Sequence, residues 1–395
     1  MRISETIYLD HQASTPVDSR VLSAMLPSYR ESFANPHSSD HAFGWKSAAA
    51  IDEAGANVAA MIGSDIDEII FTSGATEANN LALLGLARHK LNGKRNRIIV
   101  CSIEHKCVLE AARYLKDNLN YCIELAPVDN RGIVDLDYLR ETISDDVLLL
   151  SIGVVNCEIG SIQPIEEISK ITQEYGTILH CDAAQAPIAL SLSDYANFVD
   201  MLSLSAHKFY GPKGIGALYI RRDLKNQIEP LIFGGGQQDG LRSGTLPTPL
   251  IIGMGAAAKI LSLPEEVDRR NALKECRDKF VIRLKDKLNF ISVNGPSTEL
   301  RHPGNANICF KGLDARQLLA MMQPVLAASM GSACSSGVIE PSYVLRSTGL
   351  TYDEANASIR FSLGHDTTKE DITDAVTIIL ETLDKMRDSS TLMTA

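Results

Sequence analysis

The stretch Val147-Leu-Leu-Leu-Ser-Ile-Gly-Val-Val155 is an almost unbroken apolar run, and it decides the fold. Strands that are buried on both faces of a parallel sheet have this composition, whereas strands with one solvated face alternate apolar and polar residues. Shorter runs predict further strands at 97–102, 177–181, 201–205 and 216–220. The sequence therefore predicts a parallel sheet with helices on both faces.

Helical patterns lie between these strands, near 76–91, 105–118 and 164–175. Strands that alternate with helices in this way form βαβ units, so we expect a doubly wound α/β core. The pattern changes after about residue 255, where 256–290 predicts one long charged helix. A second helix is predicted at 366–389, and these features indicate a smaller α+β domain.

Length and composition limit the classes of function. The chain has 395 residues, which is more than one core usually holds, and 45% of them are hydrophobic, which argues against disorder. The 38 basic and 49 acidic residues give a formal net charge of −11, and aromatic residues are only 6%. Phosphate backbones need clustered cations, so direct nucleic-acid binding is not expected.

Neither a targeting segment nor a membrane span is expected. The first ten residues have no long apolar region and include an acidic residue, Glu5, so they are typical of neither a signal peptide nor a transit peptide. No apolar run approaches the roughly 18 residues that a membrane-spanning helix needs. We expect a soluble, cytoplasmic protein with no membrane partner.

Cysteine spacing singles out one thiol. Eight cysteines in 395 residues are too sparse for a disulfide scaffold, and no pair has the CxxC spacing of a metal site, so no metal is expected. Most of them lie in apolar surroundings and are expected to be reduced, buried side chains. Cys334 differs, because Ser329-Met-Gly-Ser-Ala-Cys-Ser-Ser-Gly337 has the composition of a loop, which favours an accessible thiol.

Polar side chains follow four of the predicted strands, where ligands of α/β sheets bind. These are His105 with Lys106, Asn156, Asp182 with Gln185, and His207 with Lys208. Pyridoxal phosphate (PLP) needs this kind of set, since a lysine amine binds its aldehyde and an acid keeps its pyridine nitrogen protonated. Lys208 and Asp182 are the candidates. Ser73-Gly-Ala-Thr-Glu77 opens a helix and predicts either a phosphate site or a plain helix cap.

Taken together, the motifs resemble those of cysteine desulfurases of the NifS/IscS type, within the class V aminotransferases. They are Phe71-Thr-Ser-Gly-Ala-Thr-Glu-Ala-Asn79, Glu104-His-Lys106, Val155-Asn-Cys-Glu-Ile-Gly160, Asp182-Ala-Ala-Gln185, Ser205-Ala-His-Lys-Phe-Tyr-Gly-Pro-Lys-Gly214, Gly234-Gly-Gly-Gln237, Arg242-Ser-Gly-Thr245, Gly331-Ser-Ala-Cys334, Glu340-Pro-Ser-Tyr343 and Ser358-Ile-Arg-Phe-Ser-Leu-Gly364. The likeness runs from Tyr8 to about Gly364.

The resemblance implies a fold-type I PLP enzyme and a homodimer. It implies a large PLP-binding domain over 16–255, with a mainly parallel seven-stranded sheet. It also implies a small domain formed by 1–15 and 256–395, which carries the catalytic cysteine on a loop at about 328–340. The implied reaction converts L-cysteine to L-alanine and leaves the sulfur on the enzyme as a persulfide, which is passed to an acceptor protein.

The resemblance also implies a role for each matching residue. Lys208 binds PLP covalently, Asp182 pairs with its pyridine nitrogen, and His105 stacks on the ring and carries protons. Gln185 and Asn156 contact the phenolic oxygen and the substrate. The phosphate is held by Thr76, Ser205 and His207, and by Thr245 from the partner subunit. Arg360 and Asn35 bind the substrate carboxylate, and Cys334 is the nucleophile.

Several alternatives stay open. Only eight residues follow Arg387, a shorter segment than the one with which housekeeping members dock an iron–sulfur scaffold. We therefore expect a specialised route such as DNA phosphorothioation as readily as iron–sulfur assembly or tRNA thiolation. Cys157 stands where the family usually has asparagine, and Cys181 precedes Asp182; packing is favoured over a second sulfur carrier for both. Other functions are a selenocysteine lyase, a β-lyase or aminotransferase, or a non-catalytic sulfur-relay subunit.

Overall fold

A computed structural model describes residues 1–89, 95–331 and 340–393, with side chains as far as Asp388. Its strands are β1 (Arg2–Ile3), β2 (Thr6–Tyr8), β3 (Ile69–Thr72), β4 (Arg97–Cys101), β5 (Cys122–Ala126), β6 (Val147–Gly153), β7 (Ile178–Asp182), β8 (Met201–Ser205), β9 (Gly216–Ile220), β10 (Ile291–Val293), β11 (Asn305–Phe310), β12 (Leu326–Ala327) and β13 (Ser358–Ser362). Its helices are α1 (Ser19–Arg30), α2 (Ala42–Ile62), α3 (Ala75–Asn80), α4 (Leu86–Arg88), α5 (Lys106–Leu119), α6 (Leu136–Thr142), α7 (Ile165–Tyr175), α8 (Ala186–Ala189), α9 (Thr248–Leu261), α10 (Glu265–Lys287), α11 (Ala315–Met321), α12 (Tyr343–Ser347), α13 (Tyr352–Asn356) and α14 (Lys369–Met393).

Seven strands form the central sheet in the order β3-β9-β8-β7-β6-β4-β5. All neighbouring pairs are parallel except those that involve β9, which runs antiparallel to both β3 and β8. Alternate residues of one strand enter two separate cores: Leu149 packs on one face of the sheet and Leu150 on the other, and both are fully buried. The apolar runs are continuous because both faces are covered, and the predicted α/β sheet is confirmed.

The remaining strands form two small sheets. One is antiparallel, in the order β10-β11-β13, and the other joins β1, β2 and β12. An isolated bridge between Asp10 and Ser362 ties the beginning of the chain to β13. The first residues of the chain therefore pack with elements from beyond residue 320, as the implied small domain requires, although the domain boundaries themselves stay a prediction.

The single long helix predicted at 256–290 is wrong, because the structure divides this region into α9 and α10. Pro264 directly precedes α10, and proline removes the backbone donor that a continuing helix needs. In α9, a β-carbon on Gly255 would lie 2.5 Å from Cα of Ala54 in α2. The two helices therefore pack backbone to backbone, which places α9 in the same layer as α2. Helix α9 begins at Thr248, directly after Pro247.

Candidate active site

A cleft of about 910 Å³ opens at the carboxyl ends of β4, β6, β7 and β8. Nine of the residues predicted from the sequence line it, and they come from six separate segments of the chain. They are Thr76, His105, Asn156, Asp182, Gln185, Ser205, His207, Lys208 and Arg360. Carboxyl ends of parallel strands meet at one edge, so the fold itself assembles this set.

Lys208 lies in a short turn that directly follows β8. Its Nζ atom donates hydrogen bonds to the backbone oxygens of Gln12 (2.8 Å) and Ala13 (2.9 Å). Desolvation lowers the pKa of Lys208, and the positive charge of Arg360 contributes in the same direction. A lowered pKa favours the neutral amine, which is the form that attacks a carbonyl carbon.

Asp182 ends β7 and is nearly buried, with 9% of its surface exposed. Its Oδ2 atom accepts a hydrogen bond from Nδ2 of Asn79 (2.7 Å), and its Oδ1 atom accepts one from the backbone N–H of Ala184 (2.9 Å). These two donors fix the orientation of the carboxylate. An oriented carboxylate in the cleft provides the acceptor that a protonated pyridine nitrogen requires.

An anion site is formed where β3 turns into α3. Gly74 has a φ of 153°, a backbone conformation that disfavours a side chain, and it precedes the first helical residue, Ala75. Behind it, a β-carbon on Gly216 would lie 2.6 Å from Cα of Gly74. The free N–H groups of a helix start favour anions, and the hydroxyls of Thr76 and Ser205 line the cleft beside them.

His207 completes this end of the cleft. Its Nδ1 atom lies 3.2 Å from the hydroxyl of Ser14. Desolvation, together with the charges of Lys208 and Lys213, lowers the pKa of His207 to about 4. The ring is therefore neutral at physiological pH and can act as a hydrogen-bond donor to a phosphate.

The opposite end of the cleft carries Arg360, which lies on β13 and is almost fully buried. Its Nη2 atom donates to Oδ1 of Asp10 (2.7 Å) and to the hydroxyl of Ser329 (2.8 Å), and its Nη1 atom donates to the backbone oxygen of Cys157 (2.8 Å). The buried Nε atom has no hydrogen-bond partner. Arg360 lines the cleft, and a guanidinium is the group best suited to pair with a carboxylate there.

Asn156 and Gln185 also line the cleft, and both make hydrogen bonds to the backbone. The Oδ1 atom of Asn156 accepts from the backbone N–H groups of Glu158 (2.9 Å) and Ile159 (3.0 Å), which shapes the turn after β6. Gln185 donates from Nε2 to the backbone oxygen of Gln12 (2.9 Å). Both side chains are thereby held at the wall of the cleft.

Two of the predicted site residues do not line the cleft of this chain. Asn35 and Thr245 are exposed and lie elsewhere on the surface. A third, Cys334, falls within 332–339, outside the described residues. The described residues on either side of that stretch, Gly331 and Glu340, do line the cleft.

Two buried carboxyl groups were missed by the sequence analysis. Desolvation, with the charge of Asp182 as a second cause, raises the pKa of Glu104 to about 8, and desolvation raises the pKa of Glu158 to about 7. Glu104 accepts a hydrogen bond from the backbone N–H of Gly153, whereas Oε1 of Glu158 has no partner. Glu104 directly precedes His105 and Glu158 lies two residues after Asn156, within motifs quoted above. Their positions in the sequence could therefore have identified them as residues near the cleft.

The described cysteines all have free thiols. Cys101, Cys107 and Cys157 line the cleft, and desolvation raises the pKa of each. Cys181 is fully buried in β7, which fits the packing role favoured for it. Because the thiolate is the nucleophilic form, none of these thiols is activated for attack.

Within the described part of the chain, no cluster of three or more histidine, cysteine, aspartate or glutamate side chains could hold a metal ion. The same residues contain no helix that is long and apolar enough to cross a membrane. The cleft does offer the donors that PLP needs. An amine, a fixed carboxylate and a cradle of hydroxyls and helix N–H groups are present together, so the residues fit this cofactor.

Comparison with known proteins agrees with this assignment. The model of the Aminotransferase class-V family matches residues 7–374. The cysteine desulfurase IscS of Rickettsia conorii (strain ATCC VR-613 / Malish 7) is 45% identical over 386 residues, which make up 98% of this chain and 93% of that protein.

Solved structures are similar over most of their length. A NifS-like protein has a TM-score of 0.88 at 34% identity, covering 96% of this chain and 99% of the other. SspA in complex with cysteine has a TM-score of 0.78 at 37% identity, covering 91% and 99%. DndA from Streptomyces lividans has a TM-score of 0.75 at 36% identity, covering 89% and 97%.

The raised pKa of Glu104 predicts a pH-dependent stability. The folded protein holds this proton up to about pH 8, whereas an unfolded chain releases it near pH 4.5. The stabilising contribution is therefore complete below pH 4.5 and is lost as the pH rises through 8. Between about pH 5 and 8, the cofactor-free wild type should lose stability relative to Glu104→Gln by up to about 1.4 kcal/mol per pH unit.

Chemical denaturation of the two proteins at a series of pH values measures this difference. Glu167→Gln, at an exposed position in α7, is the control and should follow the wild type. Parallel curves for the wild type and Glu104→Gln would show that Glu104 is already ionised in the folded state.

Proposed function

This chain belongs to the class-V aminotransferase family and, within it, to the cysteine desulfurases of the NifS/IscS type, and on that premise we propose that L-cysteine loses its sulfur in the cleft. The observation that carries the proposal is the meeting of Lys208, Asp182 and Arg360 in one cavity. They supply an amine for the cofactor, an acid for its ring and a cation for the substrate carboxylate. The chain uses PLP, as its family does.

Lys208 and Asp182 would hold the cofactor through its aldehyde and its pyridine nitrogen. The start of α3, the hydroxyls of Thr76 and Ser205 and the neutral imidazole of His207 would hold its phosphate, and His105 would stack on its ring. When bound, PLP supplies an electron sink that stabilises charge developing on the carbon atoms of an amino-acid substrate.

The substrate is oriented by the residues at the other end of the cleft. Arg360 binds the carboxylate of L-cysteine, while Asn156 and Gln185 fix the position of the reacting centre beside Lys208. Desolvation lowers the pKa of Lys208, which favours the neutral amine that can accept and return protons.

Cys334 receives the sulfur. The Cβ–S bond of L-cysteine breaks and an S–S bond forms on the enzyme thiol, while the proton from that thiol ends on Cβ of L-alanine. The carbon is reduced as the sulfur is oxidised, so no other oxidant or reductant is consumed. Two observations support Cys334: the thiols of the described cleft have raised pKa values, and Gly331 and Glu340 line the cleft.

A second copy of the chain completes the site. Exposed apolar side chains flank the two predicted residues that lie outside the cleft: Phe33, Phe43 and Trp45 near Asn35, and Ile232 and Phe233 near Thr245. Phe33 and Phe233 are 73% and 79% exposed, which is costly in water and typical of an interface. In the homodimer, Asn35 and Thr245 act in the cleft of the partner.

The persulfide is passed to an acceptor protein. Iron–sulfur assembly, tRNA thiolation and DNA phosphorothioation are the routes that such an acceptor can serve, and the acidic chain transfers sulfur to a protein rather than to nucleic acid. Co-purification of the acceptor with the full-length enzyme, followed by transfer of labelled sulfur, distinguishes the three routes. The transfer takes place in the cytoplasm.

Replacement of the proposed nucleophile tests the desulfurase function. Cys334→Ala should keep PLP but lose sulfide release from L-cysteine in the presence of a reductant, because no thiol remains to accept the sulfur. Cys276→Ala, in α10 and outside the cleft, is the control. Retained turnover of L-cysteine would refute the assignment, and retained turnover of selenocysteine alone would favour the selenocysteine lyase.

Replacement of the proposed cofactor lysine tests the other half of the site. Lys208→Ala should lose the visible absorbance of the lysine-bound cofactor, because no amine remains to bind the aldehyde. Lys213→Ala removes another lysine that lines the cleft and should keep that absorbance. The reverse result would mean that Lys213 is the cofactor lysine.

Mixed dimers test the contribution of the partner. Lys208→Ala and Thr245→Asp should each be inactive alone, since the carboxylate introduced by the second substitution repels the phosphate of the cofactor. Unfolding and reassembly of the two together should give a hybrid dimer with about half of the activity of the wild-type dimer, because one of its two clefts then contains Lys208 and Thr245 intact. Absence of activity in a hybrid dimer isolated with two different affinity tags would show that Thr245 does not act in the cleft of the partner.

A further inference from the structure

Asn79 connects two groups of the cleft that face the cofactor. It is fully buried on the last turn of α3. Its Nδ2 atom carries two hydrogens and has two acceptors: Oδ2 of Asp182 at 2.7 Å and Sγ of Cys107 at 3.2 Å. The amide is thereby fixed between the carboxylate and a thiol at the start of α5.

Cys107 continues the connection. Its Sγ atom lies 3.0 Å from Nδ1 of His105, and the hydroxyl of Thr76 is also within hydrogen-bonding reach of the thiol. Desolvation and the charge of Asp182 raise the pKa of Cys107 to about 12. The thiol therefore keeps its proton and can donate it in a hydrogen bond to His105.

His105 is the N-cap of α5, and this fixes its tautomer. The backbone N–H of Cys107 donates to Nδ1 of His105 at 3.2 Å. A backbone N–H can only donate, so Nδ1 must present a lone pair. In the neutral ring the proton then resides on Nε2.

Protonation of His105 would break this arrangement, because a proton on Nδ1 would face the backbone donor of Cys107. Desolvation is the largest effect on the pKa of His105 and lowers it. The charge of Asp182 raises this pKa, and the charges of Lys208 and Lys106 lower it. The contacts and the surroundings thus favour the same neutral state.

We propose that Asn79 and Cys107 are positioning residues that tie the carboxylate of Asp182 to the imidazole of His105 and hold that imidazole as the neutral Nε2–H tautomer. The inference rests on the proposed function and deepens it. His105 then presents its Nε2–H group to the cleft on a ring of fixed orientation.

The tautomer of the wild-type holoenzyme is the first test. With ¹⁵N-labelled histidine, the ring nitrogens of His105 are assigned by the signals missing from His105→Gln. The spectrum should show one protonated ring nitrogen, identified as Nε2 by its couplings to both Hε1 and Hδ2, and one unprotonated nitrogen. Both signals should persist from about pH 6 to 8. A proton on Nδ1, or a charged ring at neutral pH, would overturn the proposal without any variant that could misfold.

Cys107 is tested by a matched pair of variants. Cys107→Ala removes the thiol contact to Nδ1 and keeps the backbone N–H donor. It should raise the pKa of His105 and lower kcat at unchanged KM, by about five-fold if one hydrogen bond is lost. Cys107→Ser keeps a donor of similar size and should restore both values. Equal pKa values for His105 in the wild type and Cys107→Ala would overturn the role of Cys107.

Asn79 is tested on cofactor binding. Asn79→Ala frees the carboxylate of Asp182 and should weaken the binding of PLP to the apoenzyme about five-fold or more, as measured by fluorescence titration. An unchanged dissociation constant would overturn the role of Asn79. If the wild type binds PLP but does not desulfurate L-cysteine, the proposed function is wrong. The tautomer of His105 and the affinity for PLP would still test the roles of Asn79 and Cys107 in that case.

Discussion

The burial of the central sheet on both faces is the constraint on which the rest of the structure depends. Strands β6, β7 and β8 have no solvated face, so the polar groups inside them pair with each other, as Ser151, His180 and Ser203 do. The groups that can meet a ligand lie where the strands end. Because these strands are parallel, their carboxyl ends meet at one edge. Asn156, Asp182 and Lys208 are therefore brought together by the same hydrophobic effect that stabilises the domain.

Assembling charged groups at a buried edge costs solvation, and that cost adjusts their chemistry. Desolvation lowers the pKa of Lys208 and raises that of Glu104, so both shifts favour the uncharged form. Cys107 and Cys157 are kept as thiols for the same reason. An amine with a lowered pKa beside neutral thiols and an oriented carboxylate is suited to PLP chemistry. It leaves the attack on sulfur to a cysteine from another part of the chain.

The hydrogen bonds of the cleft show why its details follow from packing. Asp182 is oriented by Asn79, which comes from a helix about 100 residues earlier in the chain, and Arg360 is paired with Asp10 across 350 residues. Neither pair has a spacing that a sequence pattern could reveal. Both depend on which helix and which terminal strand pack against the sheet, and this is settled by side-chain volume over the whole core.

The sequence by itself determined the α/β sheet, the strand ends that bear Asp182 and Lys208, and the family to which the chain belongs, because periodicity and motif order are local properties that survive without a structure. It failed where distant packing decides the outcome: the helix predicted at 256–290 is divided at Pro264, and the edge strands β3 and β5 were not recognised. Only the tertiary structure connected Asn79 and Cys107 to His105, and only it put Asn35 outside the cleft of its own chain. The physical reason is that hydrogen bonds and desolvation depend on distances in space, which residues far apart in the sequence acquire only when the core closes around them.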